Sequence, residues 1–200
     1  RSSEAFPSAG VRAAAPPADE SPDPHQEAAV VAALAHGTTV ITGGPGTGKT
    51  SIVARILESL APTDPFIALA APTGKAAARL QSAVGQRLGG SPRLWGGTLH
   101  KLLGARPRST QLAHGPGNPL PHDVVVVDET SMVSLELMGH LTAALAPHSR
   151  LILLGDPHQL RSVEAGAVLA DIEQAGTLVT EPGGHIARLR RNFRSNPEIN

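Results

Sequence analysis

Apolar residues in this chain fall into short unbroken runs, each followed by a longer stretch in which they recur every three or four positions. The runs are Thr38 to Thr42, Phe66 to Ala70, Val124 to Asp128 and Leu151 to Leu154, and the stretches that follow cover 48–60, 74–88, 133–145 and 164–174. In the first of these stretches Ile52, Val53, Ile56, Leu57 and Leu60 share one face at helical spacing. The runs "DVVVVDE" and "RLILLGD" are apolar at consecutive positions, as strands buried on both faces are. Strand and helix in strict alternation predict an α/β fold, a parallel sheet sandwiched by helices. "DPHQEAAV" opens a further helical pattern ahead of the first strand.

Two segments stand outside this pattern. Residues 1–24 are rich in Pro, Ala and Ser with almost no large apolar groups. They cannot bury enough surface to offset the entropy of ordering, so a disordered tail or linker is expected. Residues 105–121 are too long and too rich in Gly and Pro for a simple connector, which predicts an ordered insertion or a mobile loop. Composition narrows the picture further. Apolar residues make up 40% of the chain, yet only three Phe and one Trp are aromatic, so the core is built from Ala, Val, Leu and Ile. The formal net charge is zero, which confines any nucleic-acid binding to local patches. Absence of cysteine excludes disulfide scaffolds, thiolate metal sites and cysteine nucleophiles, and fits a reducing, cytoplasmic setting. No apolar run approaches the roughly 20 residues of a membrane span. The chain opens at Arg1 and stops within "RSNPEIN", so a fragment of a longer protein is expected.

The candidate chemistry begins right after the first strand. Gly43, four residues, then Gly48, Lys49 and Thr50 is the spacing of a loop that wraps its backbone N–H groups around an anion and feeds into a helix N-terminus. The nucleotide-binding set is Gly43, Gly44, Pro45, Gly46, Thr47, Gly48, Lys49, Thr50 and Ser51. Lys49 would reach the β- and γ-phosphates of ATP, and the Thr50 hydroxyl would hold Mg²⁺. Asp128 would hold the same ion through water, and Glu129 beside it would polarise the attacking water. Gln159, after the strand that ends at Asp156, reads either as a γ-phosphate contact or as an ordinary turn glutamine. Gln26 reads either as an adenine contact through its amide or as a surface residue at a helix start.

Together these stretches resemble the RecD-like superfamily 1 DNA helicases. Gly43 to Thr50, "APTGKAAARL" (71–80), "GTLHKLLG" (97–104), "VVVVDETSM" (124–132), "LLGDPHQLRSVEAG" (153–166) and "LRRNFRS" (189–195) occur in the order of that family's motifs I, Ia, Ib, II, III and IV. The resemblance implies a RecA-like P-loop NTPase domain over 25–190, with 191–200 carrying motif IV and the start of a second motor domain. It implies ATP-driven translocation on single-stranded DNA, 5′ to 3′, in double-strand break repair and recombination. The implied partners are the RecB-like and RecC-like subunits of an exodeoxyribonuclease V complex. On the same footing Lys49, Glu129, Gln159 and Arg194 are catalytic, Arg194 as an arginine finger, and Thr73, Lys75, Thr98 and His100 lie along the DNA strand. The 105–121 segment falls where such proteins carry a small hairpin, although "HGPGNPLP" is poor material for a strand pair. The residues without the resemblance leave open a P-loop phosphotransferase or a non-catalytic nucleotide-binding module.

Overall fold

Residues 23–88, 93–106, 111–156, 159, 185–189 and 191 are described in the computed structural model. Six strands, β1 (Thr38–Thr42), β2 (Ile67–Ala71), β3 (Leu94–Thr98), β4 (Val124–Val127), β5 (Arg150–Gly155) and β6 (Ile186–Arg188), pair side by side in one sheet. Their order is β3-β2-β4-β5-β1-β6, and every pairing is parallel. The helices are α1 (Pro24–Ala35), α2 (Lys49–Leu60), α3 (Gly74–Leu88), α4 (Leu99–Leu102) and α5 (Leu135–Ala144).

Side chains alternate across a strand, so each all-apolar strand supplies two cores. Val124 and Val126 join Ile41, Leu69, Ile152 and Leu154 beneath α1, α2 and α3. Val125 and Val127 join Val40, Leu151 and Leu153 on the opposite face, beneath α4 and α5. The predicted α/β sandwich is the fold observed. Among the described residues no helix is long and apolar enough to cross a membrane.

Element boundaries differ from the pattern where a cap intervenes. The helix expected from 48 begins at Lys49, because Gly48 takes the left-handed conformation, φ 83°. That expected from 133 begins at Leu135, because the Ser134 hydroxyl accepts from Leu137 N at 3.1 Å and caps it. The helix expected over 164–174 lies outside the described residues, as do residues 1–22 of the expected tail. Asp23 and Pro24, counted with that tail, instead start α1, the Asp23 carboxylate accepting from His25 N at 2.9 Å. Strands β3 and β6 are additions to the sequence pattern. In the 105–121 segment the described residues hold a single antiparallel bridge, Gly115 to Asn118, in place of a strand pair.

Helix α1 is tied to the sheet and to its neighbour by polar contacts. Arg150, at the start of β5, donates to the carbonyls of Ala33, Leu34 and His36 at 2.8, 3.1 and 2.7 Å. These are carbonyls at the C-terminal end of the helix, where intrahelical donors run out and the dipole favours a cation. Burial draws the guanidinium pKa below its ordinary value. At the other end Glu27 pairs with Arg55 of α2, whose side chain is 3% exposed. Arg150→Met keeps the aliphatic stem but strands the three carbonyls, so it is expected to lower unfolding free energy by about 1–3 kcal/mol in a urea titration. A midpoint equal to that of the parent protein would show that the clamp contributes nothing.

Candidate nucleotide site at the C-terminal edge of the sheet

In a parallel sheet every strand delivers its C-terminal end to the same edge, and ligands of open α/β sheets bind there. The chain leaves β1 at Thr42 and enters α2 at Lys49. Gly46 (φ 81°) and Gly48 (φ 83°) supply the left-handed residues that this tight reversal needs. Thr47 Oγ1 donates to Gly44 O at 2.9 Å, and Lys49 Nζ donates to Gly44 O at 3.0 Å and to Gly43 O, so the loop is braced internally. Gly43 N donates to Gly155 O at 3.1 Å, fixing the loop to the end of β5. A Cβ at Gly43 would stand 2.9 Å from that of Leu189, so the segment after β6 packs directly on the loop. The amides of Lys49, Thr50 and Ser51 belong to the first turn of α2, outside the intrahelical ladder, where a helix N-terminus favours an anion.

The end of β4 supplies the acids. Asp128 is buried, its N–H donating to Ala70 O at 2.9 Å, and its carboxylate accepts from Glu129 N at 2.8 Å. Glu129 sits in the left-handed region at φ 53°, a conformation that costs a non-glycine residue about 1–2 kcal/mol. A turn of 3₁₀ helix over Thr130–Met132 holds it there, with the Thr130 hydroxyl donating to Val127 O at 3.2 Å. Beyond β5, Asp156 is buried and Gln159 N donates to Asp156 O at 3.2 Å.

These ends enclose a cavity of about 330 Å³ lined by Pro45 to Ser51, Asp128, Glu129, Gly155, Asp156, Gln159 and Arg79. Lys49, Thr50, Asp128, Glu129 and Gln159, dispersed over 111 positions of sequence, thus face one space. Thr50 and Asp128 offer hard oxygen donors, which suit Mg²⁺ shared with a polyphosphate. Among the described residues no group of three or more His, Cys, Asp or Glu side chains is placed to hold a metal by itself.

The other candidates lie apart from the cavity. Gly43 and Gly44 brace the loop from behind it. Gln26 is buried, not a surface residue at a helix start, and its amide donates to Thr47 O at 3.3 Å, supporting the loop's backbone. Thr73 and Thr98 stand at the ends of the adjacent strands β2 and β3 and cap α3 and α4, accepting from Ala76 N at 3.2 Å and Lys101 N at 3.3 Å. Thr73, Lys75 and His100 are exposed. Arg194 lies outside the described residues. Arg79 was not among the sequence candidates. The signal available for it was its place four residues after Lys75 on a helix.

Residues 26–165 match the AAA domain family. The RecBCD enzyme subunit RecD of Mycolicibacterium smegmatis is 56% identical over 166 residues, covering 74% of this chain and 29% of that protein. The ATP-dependent RecD2 DNA helicase of Deinococcus radiodurans is 38% identical over 178 residues, covering 87% of this chain and 22% of that protein. A solved Pif1 helicase, from work on DNA unwinding at forked double-stranded DNA, superposes with a TM-score of 0.55 at 20% identity, covering 90% of this chain and 46% of that one. The fold is RecA-like and the sequence RecD-like. The chain spans less than a third of the length of these curated relatives.

The loop geometry separates its glycines. Gly48→Ala places a Cβ in the left-handed region and is expected to cost about 1–2 kcal/mol, a fall of roughly 2–4 °C in Tm for each kcal/mol in a domain of this size. Gly44 has ordinary φ and open space around its Cβ position, so Gly44→Ala is expected to melt with the parent. Equal melting of the two variants would contradict the assigned backbone.

Proposed function

The chain belongs to the AAA domain family, and we propose that it is the ATP-hydrolysing motor domain of a RecD-type DNA helicase. The observation that carries this reading is the single cavity into which three strand ends bring Lys49, Thr50, Asp128, Glu129 and Gln159. In this reading Thr50 and Asp128 would hold Mg²⁺, which would supply positive charge beside the transferring phosphoryl group. The loop amides and the Lys49 ammonium bind the β- and γ-phosphates. Glu129 accepts the proton of a water that attacks the γ-phosphorus while the bond to the ADP oxygen breaks. Gln159 contacts the γ-phosphate and so registers its loss. Gln26, whose amide also donates to Thr47 O, contacts the adenine edge, and Arg194 places positive charge beside the transferring group.

Thr73, Lys75, Thr98 and His100 form the DNA side of this reading. Hydroxyl, ammonium and imidazole groups at two neighbouring strand ends contact phosphates without preference for base, as a motor stepping 5′ to 3′ along a single strand requires. Likeness to a RecBCD enzyme subunit supports RecB-like and RecC-like partners, and in this reading the protein works with them in double-strand break repair in the cytoplasm.

Two substitutions test the chemistry. Lys49→Ala removes a charge-assisted contact to phosphate and is expected to weaken MgATP binding by roughly tenfold or more in calorimetric titration. Glu129→Gln leaves the binding groups in place, so affinity is retained while hydrolysis by the full-length protein falls by roughly 10²–10⁴. Hydrolysis at the parent rate in Glu129→Gln would remove Glu129 as the base, and unchanged affinity in Lys49→Ala would remove the loop as the phosphate site.

A further inference from the structure

Arg79 is the one cavity-lining side chain that comes from α3. It is exposed, and among the described residues it has no ion-pair or hydrogen-bond partner. A guanidinium with free donors facing a cavity built around an anion-binding loop is matched to phosphate oxygens, which its planar fork contacts in pairs. Among the described residues the cavity's other cation is Lys49, set against Asp128, Glu129 and Asp156, so a polyphosphate there gains from a second positive charge. The same helix begins beside Thr73 and carries Lys75, both assigned above to DNA. Thr73 caps its first turn, and Lys75 lies four residues before Arg79, one helical turn or about 6 Å along the axis and on the same side. Ala76, Ala77, Leu80 and Val84 are buried on the opposite side, so α3 is packed on the core along the whole stretch between Lys75 and Arg79.

We infer that Arg79 is a second cationic contact to the terminal phosphates of the bound nucleotide, and that through it α3 links the nucleotide cavity to its own N-terminal turn, where Thr73 and Lys75 stand. A strand of DNA that shifts the N-terminal turn of α3 thereby shifts the guanidinium against the phosphates. The link rests on the motor reading given above, because it requires DNA at Thr73 and Lys75.

The test uses the full-length protein, MgATPγS for affinity, and MgATP turnover with and without oligothymidylate. Arg79→Ala is expected to weaken MgATPγS binding by roughly tenfold and to lose most of the stimulation by oligothymidylate at saturating ATP. Arg79→Lys, which keeps the charge but not the fork, is expected to recover part of both. The side chain is exposed, so both variants are expected to melt with the parent. Affinity and stimulation both equal to the parent in Arg79→Ala overturn the assignment, and lost affinity with stimulation intact overturns the link through α3. Parent protein that binds MgATPγS but hydrolyses ATP no faster with oligothymidylate overturns the motor reading itself.

Discussion

The site depends on a backbone constraint: a buried strand must become a helix within six residues, Gly43 to Gly48, while its freed amides turn toward one point. Two left-handed glycines make the reversal, and Lys49 and Thr47 brace it through the carbonyls of Gly43 and Gly44. The requirement extends outward. β1 must lie deep in the sheet so that the loop has fixed neighbours, and it lies between β5 and β6. Gly155 anchors the loop from one side and Leu189 packs on it from the other. Parallel pairing then brings Asp128 and Gln159 to the edge where the loop ends, although both are distant in sequence.

Rigidity around that loop comes from α1 as much as from the sheet. Arg150 holds the C-terminal end of α1 to β5, Glu27 holds its N-terminal part to α2, and Gln26 next to Glu27 reaches the Thr47 carbonyl. The first helix is thus a brace behind the anion-binding turn. The acid wall of the cavity carries backbone strain, because Glu129 is kept in a left-handed conformation by the turn that follows it. A residue fixed in this way loses little freedom when it meets a water molecule, which suits a general base.

The chain's patterning made the sheet legible where strands are buried on both faces, because four consecutive valines have few alternatives to a central strand. The loop was legible because its glycines and Lys49 have to stand at fixed spacing. β3 escaped because "LWGGT" carries two glycines at a sheet edge and is only partly buried, so it has no apolar run. β6 escaped because three residues, one of them exposed, are too few for a pattern. Arg79 and the bracing role of Gln26 depend on which way helices α3 and α1 rotate against the core, a tertiary fact that local composition does not encode. Thr73 and Thr98 are candidates through the family resemblance alone, and in the fold their hydroxyls cap α3 and α4.

The most direct measurement is a crystal structure of the protein with Mg²⁺ and a slowly hydrolysed ATP analogue. The account predicts that the β- and γ-phosphates lie within hydrogen-bond distance of the amides at 46–50, with the Lys49 ammonium on phosphate oxygens in place of the Gly43 and Gly44 carbonyls. It also predicts that Mg²⁺ lies between Thr50 and Asp128. Nucleotide bound elsewhere, or Lys49 still on the loop carbonyls with phosphates in the cavity, would contradict it.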